Sequence, residues 1–571
     1  MKWSLKKNPE IPDELKSEPL NPITLRLLLQ RGFFSKEQIE KFLSARYEDL
    51  YCPDNLSGIG EAVERIGKAK DKKETVTVYG DYDADGITST VLLKESLEEI
   101  GIFPSTYIPD RNKEGYGLNE AAIDYIKKEY ETKLLVTVDC GISNSEEIKY
   151  ARKQGMDIVV VDHHSLPRHL PKGCILINPK LPDQKYPFED LAGVGVTFKL
   201  CQALWEKFIP KKIGQLKWLL DLVAIGTIAD CVPLIEENRI FAKYGLVVLQ
   251  KTKRTGIQEI IKTARLNISE ANPPSAENIA FQIGPRFNAA GRMDHADLTL
   301  MLLLEKDTAK ARVAALELEA KNSERQKMTQ VIFDEIKSTL KDDVCHKLII
   351  RKGKNWPLGI LGIVAGKISD EYHCPTFILR ENKEIVEGSG RSIDVFNLIE
   401  AVSRLDSLVE KYGGHSQAMG IKVKPKNLAR FEKDLLKIIE KSYDENTWGK
   451  RIQIDAEIRP QEVDWDIISE IKRFEPFGEG NREPVFLARE LIIQDIRQVG
   501  NGQKHLKFVF SSNDSEKKYF EGIFFKGGKL FPDFRVGNKV SVVCSLRSNE
   551  WNGNHKIEMN IVDIRNDSRI N

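Results

Sequence analysis

No run of about 18 apolar residues occurs in this chain, so nothing in it reads as a helix that crosses a membrane. The opening stretch "MKWSLKKNPEIPDEL" carries charge but lacks the apolar core of a secretory signal. Together the two absences lead to the expectation of a cytoplasmic protein. The chain also lacks any Cys-x-x-Cys pair. Its eight cysteines (Cys52, Cys140, Cys174, Cys201, Cys231, Cys345, Cys374 and Cys544) are scattered, which argues against a disulfide framework or a thiolate zinc site and for reduced, mostly buried thiols. A charge excess is missing as well: Lys plus Arg number 86 against 85 Asp plus Glu, a net charge of +1, so a basic groove for nucleic acid must be local if it exists. Neither a long internal repeat nor a low-complexity tract is visible.

The chain does have length, and at 571 residues it exceeds one ordinary core, so two to four domains are expected. Residues 1–56, with "NPITLRLLLQRGF" and "SKEQIEKFL", read as a helical lead-in. From about residue 57 to 296, short β-branched runs alternate with amphipathic helices. "TVTVYG", "KLLVTVD" and "DIVVVD" are apolar on both faces, as strands of a parallel sheet covered on both sides should be. Helical spacing in "STVLLKESLEEIG" and "NEAAIDYIKKEY", joined by right-handed crossovers, makes this a doubly wound α/β domain. Residues 297–345 include more than thirty positions without Pro or Gly, the pattern of one or two connecting helices. A second, smaller α/β pattern covers 346–445. From 446 to 571, five or six short strands fit a small barrel, foremost an oligonucleotide-binding (OB) fold.

Ligands of an open α/β sheet bind beyond the carboxyl ends of its strands. Asp81, Asp83 and Asp85 follow the first strand in "GDYDADG", Asp139 follows the next in "VDCG", and Asp162, His163 and His164 end the third in "DHH". Asp230, in "IADCVPL", ends an apolar helical stretch. A single strand-end Asp is commonly a cap or turn former. Several at one sheet edge would raise each other's pKa unless a divalent cation neutralised them. Oxygen ligands with one imidazole and no thiolate suit Mn²⁺ or Mg²⁺, and both metals accept such a set. Asp139, on a central strand, is placed to bridge two ions about 3.5 to 4 Å apart, the spacing of two-metal phosphoryl chemistry.

These motifs, in this order and spacing, resemble the DHH family of phosphoesterases. "PDRNKEGYG", "FNAAGRMDHA", "GSGRS", "GGHSQAMG" and "EPFGEGNREPVF" resemble its RecJ branch of 5′ to 3′ single-strand-specific DNA exonucleases, over residues 50 to 560. The resemblance implies metal ligands at Asp81, Asp83, Asp139, His163 and Asp230, with Asp139 as the bridge and Asp83, His163 and Asp230 completing the second ion's shell. It places His164 near the scissile phosphate, where it stabilises charge or aids the leaving group. The chain departs from smaller family members in having Thr77 where they carry a His four residues before the first Asp. Asp85 is therefore open between a catalytic or ligand role and a turn-forming one.

A phosphate pocket needs cationic forks and N–H donors at fixed geometry, and Arg111, Arg286, Arg292, Ser389 and Arg391 lie in or beside these motifs. The glycines of "GSGRS" would let backbone approach an oxyanion, though the run is also compatible with a hairpin turn. By resemblance His415, in "GGHSQAMG", faces the active-site cleft; a core histidine is the alternative. Basic and aromatic residues interleave in "KHLKFVF" and "KKYFEGIFFK", a pattern that stacks bases but also one that any half-buried strand shows.

The resulting expectation is a monomeric DNA repair and recombination nuclease that releases 5′-mononucleotides from single strands by two-metal hydrolysis, with a metal-activated water as nucleophile. A single-strand-binding protein and a helicase are its implied partners. Two other readings are an enzyme for short RNA, cyclic dinucleotides or pyrophosphate, and a catalytically silent scaffold for a replication helicase. The presence of the third domain and the "NAAGRM" run counts against the first. The intact carboxylate set counts against the second.

Overall fold

Every residue of the strand Val76–Gly80 is buried, which is why the run carries no polar alternation. In the computed structural model, which describes residues 2–111, 113–182, 184–293, 296–340, 346–444, 448–513, 517–551 and 554–567, this strand (β1) is one of five in an all-parallel sheet. Helix α1 (Ala84–Glu99) follows it, then β2 (Ser105–Tyr107), α2 (Glu120–Tyr130), β3 (Leu134–Val138), α3 (Ser145–Lys153), β4 (Asp157–Val161) and β5 (Ile175–Ile177). The strand order is β2-β1-β3-β4-β5. On one face, Ile123, Ile126 and Ile148 of α2 and α3 pack with Tyr79, Leu135 and Val160. Beyond β5 come α4 (Gly193–Phe208) and α5 (Leu220–Ala229), both packed against α1. The sheet is doubly wound, as expected.

The register of this sheet sets up the site. Gly80 pairs with Val138, Val138 with Val161, and Val161 with Ile177, so four strands end level. The next residues, Asp81, Asp139, Asp162 and Asn178, therefore emerge side by side at one edge.

Helix α6 (Gly284–Met293) leads towards the long helix α7 (Thr308–Ser338), whose start is capped by Asp307 accepting from the Lys310 amide at 2.9 Å. It joins the first sheet to a smaller α/β domain with β6 (Ile349–Gly353), α8 (Leu358–Tyr372), β7 (Thr376–Glu381), β8 (Val386–Arg391), β9 (Lys411–Gly414) and β10 (Ala418–Val423). Its sheet runs β9-β10-β8-β7-β6, and only β6 and β7 are parallel. Both α/β domains lie in one compact unit, Tyr51–Val232 with Tyr244–Lys450.

The second unit gathers Met1–Leu50, Pro233–Lys243 and Arg451–Asn571. Its barrel has β11 (Phe486–Val499), β12 (His505–Ser511), β13 (Tyr519–Phe524), β14 (Lys539–Trp551) and β15 (Asn554–Asn566) in the order β11-β12-β13-β15-β14, closed by pairing of β11 with β14. This is the expected OB-type barrel. The lead-in adds a strand that the sequence reading lacked: Lys2–Leu5 pairs in parallel with Arg451–Ile454. Four residues whose partner lies at the other end of the chain leave no local signature.

Arg239 ties this unit together. It is 1 % exposed, its guanidinium donates to the carbonyls of Phe42, Arg473, Phe474 and Glu475, and it lies 4.4 Å over the Phe42 ring. Burial pushes its pKa down to about 10. Among the described residues no helix is long and apolar enough to cross a membrane. Cys345 and the expected boundaries at 345 and 445 lie outside the described residues, as do Asn112, Asp294 and His295 of two of the quoted motifs.

Replacing Arg239 by Ala strands four buried carbonyls at once. The expected loss is about 3–5 kcal/mol in chemical unfolding of the unit that holds it. A loss under about 1 kcal/mol would show that water takes over those carbonyls.

Candidate metal centre

Asp81 and Asp139 leave β1 and β3 at the shared edge. Asp83 sits at the N-terminus of α1, where its carboxylate accepts from the amides of Asp85 and Gly86 at 3.0 and 3.1 Å, and Asp230 ends α5. Asp139 has φ +59°, a strained conformation for a residue with a side chain, and it turns the chain sharply where β3 stops. Gly193 permits that turn to pack on α4, because a Cβ there would sit 2.8 Å from Asp139 Oδ1.

The ligand-type atoms fall into three overlapping groups, each within 4.8 Å: Asp81, Asp83 and Asp139; Asp85, His163 and Asp230; Asp139, His163 and His164. His163 Nε2 lies 3.2 Å from Asp139 Oδ1, 3.5 Å from Asp230 Oδ2 and 3.9 Å from Asp85 Oδ2. All five residues expected as ligands thus converge, and Asp139 and His163 each belong to two groups.

Burial and mutual repulsion dominate the electrostatics. The carboxyls of Asp81, Asp139 and Asp230 are pushed well above their ordinary range, first by burial and then by neighbouring carboxylates. His163 is driven down to about 3 by burial and by the charge of His164, so its ring is neutral and able to ligate. Asp81 Oδ1, Asp139 Oδ1 and His163 Nε2 are buried without any hydrogen-bond partner. Buried polar atoms are seldom left so, and these face one another in a space bounded by oxygen donors and one imidazole. The donor set fits a hard divalent cation.

Asp85 is anchored: its two oxygens accept from the amides of Gly193 and Val194 at 2.7 and 2.9 Å, at the positive end of α4. Burial first and Asp83 second raise its pKa to about 7, and those amides oppose the rise. It ties α1 to α4 while keeping one oxygen near His163.

The turn bearing the two histidines is clamped through the amides and carbonyls of both. Asp162 accepts from the amides of His163, His164 and Ile142, and Asn178 donates to the His164 carbonyl at 3.0 Å. Lys180 donates to the His163 carbonyl at 2.6 Å. The His164 ring is held between Asp162 Oδ1, 2.8 Å from its Nδ1, and the Tyr116 hydroxyl at 3.2 Å. Burial lowers the His164 pKa, but Asp162 outweighs it and the net shift is upward.

A cationic wall adjoins the carboxylates. Arg111 lies 5.0 Å over the Tyr82 ring, and Arg292 donates to the Gly359 carbonyl at 3.2 Å. Arg391 packs on α8 so closely that a Cβ at Gly362 would stand 2.7 Å from its Nη2 and 3.4 Å from Ser389 Oγ. Burial and then the charges of Arg111, Arg325 and Arg391 bring Arg292 down to about 10. His415 lies within the fields of His164 and Lys180, which together with burial lower its pKa. Arg286 is occupied otherwise: its Nε meets Glu319 at 2.5 Å.

Gly388–Arg391 of "GSGRS" belong to strand β8 and do not form a hairpin turn. Its glycines serve cross-strand packing, since a Cβ at Gly388 would meet the Ile378 carbonyl oxygen at 2.2 Å and one at Gly390 the Phe377 ring at 2.7 Å. Ser389 and Arg391 carry the polar chemistry of that run. Tyr82, Tyr116, Asn178, Lys180 and Arg325 escaped sequence reasoning. Tyr82 and Tyr116 lay inside quoted motifs, so a polar aromatic beside a candidate ligand was the available signal. The other three had none.

Residues 75–227 match the model for the DHH family, N-terminal domain, 341–441 that for the DHHA1 domain, and 454–563 that for the RecJ OB domain. The single-stranded-DNA-specific exonuclease RecJ of Bacillus subtilis is 36% identical over 571 residues, 99% of this chain and 70% of the relative. That of Escherichia coli is 32% identical, over 95% of this chain and 96% of the relative. A crystal structure of RecJ with Mn²⁺ from Thermus thermophilus superimposes with a TM-score of 0.82 at 27% identity, covering 99% of this chain and 79% of that one. The Mg²⁺ complex from the same organism gives 0.76 at 26% identity, over 99% of this chain and 78% of that one.

In metal-free protein, Asp162→Asn removes the partner that holds the His164 pKa up. NMR titration should show His164 moving down; an unmoved value would mean that the pair does not set its charge. Because the folded pKa is raised, the pair's stabilisation is full below the unfolded value of 6.5 and fades as pH rises through the folded one. Asp162→Asn should accordingly cost more stability in mild acid than in alkali.

Proposed function

This chain belongs to the RecJ family, and from that we propose that it is a metal-dependent exonuclease of single-stranded DNA which degrades from the 5′ end and releases 5′-mononucleotides. The observation that carries the reading is the trio of orphaned buried atoms, Asp81 Oδ1, Asp139 Oδ1 and His163 Nε2, at the centre of a carboxylate cluster. Asp81, Asp83, Asp139, His163 and Asp230 would hold two Mn²⁺ or Mg²⁺ ions, with Asp139 shared between them. When bound, such ions supply Lewis-acid polarisation of a phosphodiester and neutralise charge that develops on its oxygens.

The chain's own residues do the rest. His164, aimed by Asp162 and Tyr116, presents a raised-pKa imidazole at the cluster's rim, where it can donate to the departing oxygen. Asp85 holds α1 and α4 at a set distance, so the ligands that flank those helices keep their spacing. Arg111, Arg292, Ser389 and Arg391 would receive the terminal phosphate beside the reacting bond. Fixing that end is what makes direction possible: the bond over the carboxylates is then the first one from the 5′ terminus. His415, within the fields of His164 and Lys180, would face the same cleft from the second α/β domain. Arg286, engaged with Glu319, supports α6 against α7 and contributes only through position.

The OB-type barrel would bind the strand through stacking and phosphate contacts. A role in DNA repair and recombination, a cytoplasmic setting, a monomeric state, and a single-strand-binding protein and a helicase as partners belong to the same proposal and rest on the family resemblance.

Digestion of 5′-labelled and 3′-labelled single strands beside a duplex tests the reading. With Mn²⁺ or Mg²⁺, the 5′ label should appear at once as mononucleotide, the 3′-labelled strand should shorten gradually, and the duplex should persist. EDTA should abolish both. Early release of the 3′-terminal nucleotide would reverse the assigned direction. Asp139→Ala should lower the rate by about a thousandfold or more; wild-type rates in that variant would end the catalytic assignment.

A further inference from the structure

Arg325, on the helix that joins the two α/β domains, is a cation without a counterion among the described residues. Its Nη2 donates to Asn322 Oδ1 at 2.8 Å, while its Nε is buried with no hydrogen-bond partner. No ion pair of Arg325 with an acidic side chain is present among the described residues, and the same is true of Arg111, Arg292 and Arg391. The charges around Arg325 make matters worse. Burial and the field of Arg286 both depress its pKa, and Arg325 in turn depresses that of Arg292.

Packing explains how these groups meet. Helix α6 runs along α7 in the same direction: Arg286 reaches Glu319 near the start of the contact, and Met293 and Met328 share one apolar cluster at its end. Arg292, next to Met293, therefore comes level with Arg325, which lies just under one helical turn before Met328. Arg111 comes from the loop after β2 and Arg391 from β8, so three separate segments bring guanidinium groups within the electrostatic reach of Arg292 on a fourth.

Four like charges held together cost free energy unless an anion lies among them. A purely structural Arg325 would need Nε satisfied by protein, and it is not. The charge also measures the anion. An internal phosphodiester carries one negative charge, a terminal phosphomonoester about 1.5 to 2, and a 5′-hydroxyl none. We propose that Arg325 completes the site for the terminal phosphate of the strand, so that the connecting helix itself reads whether the 5′ end is phosphorylated. This rests on the reading above that Arg111, Arg292 and Arg391 receive that phosphate. Arg325 acts on binding and discrimination, not on the bond-breaking step.

Binding of 3′-labelled single strands to the full chain in EDTA, followed by fluorescence anisotropy, separates recognition from hydrolysis. The wild type should prefer a 5′-phosphate over a 5′-hydroxyl end. Arg325→Gln should cut that preference about tenfold and leave affinity for the 5′-hydroxyl strand within about twofold. Arg325→Lys, which keeps the charge but not the fork, should restore part of the preference and guards against a Gln variant that fails to fold. An equal loss on both ends, or an unchanged preference, would overturn the role of Arg325. A wild type without any preference would instead remove the phosphate pocket on which the inference rests.

Discussion

Carboxylates brought within 4.8 Å of one another and out of water repel strongly, and much of the fold around them is explained by the need to hold them there. The parallel sheet supplies the force. Level strand ends deliver Asp81, Asp139 and Asp162 to one line, and the buried strands behind them lock the register, since a slip would disrupt close packing on both faces of the sheet. The positive end of α4 takes the charge of Asp85, and that of α1 takes one oxygen of Asp83. What these devices leave unpaired are the inward atoms of Asp81, Asp139 and His163.

The histidine turn shows how geometry is maintained beside such repulsion. Asp162 commits its carboxylate to three amides and one ring nitrogen, which leaves it strongly acidic even though burial opposes this. Lys180 and Asn178, arriving from the neighbouring strand end, hold the two carbonyls of the same turn. A group that orients another in this way commonly matters as much as the group that does the ligating.

Opposite in sign, the guanidinium wall is assembled from α6, α7, β8 and the loop after β2. It belongs to the same compact unit as the carboxylates. On the proposed reading, a strand end would meet a cationic region that receives its phosphate and an anionic region suited to cations, with Arg111 stacked over Tyr82, the residue after the first Asp of the cluster. Under the proposed function, this separation of the two signs would give a polymer chain its direction.

Much of this was legible in the residues. Short, fully apolar runs that end in Asp could only be buried strands with acids at the carboxyl edge, because a 2.0 or 3.6 residue period would have shown otherwise. The barrel announced itself through alternation and turn residues, and α7 through its lack of Pro and Gly. Local pattern thus determined most strands and helices and the acids at the sheet edge, and the family resemblance picked the ligand set from among them. Tertiary structure alone decided which of them meet. Nothing near Lys2–Leu5 foretells a partner at Arg451–Ile454, and nothing near Arg239 foretells four carbonyls drawn from two distant segments. Arg286 and Arg325 look alike in sequence, yet one has Glu319 and the other has no acidic ion-pair partner among the described residues. The glycines of "GSGRS" also make room for a neighbouring strand, which local sequence does not foretell. The reason is the same in each case: periodicity along a chain encodes which face is buried, while the identity of the neighbour across that face depends on contacts far away in sequence.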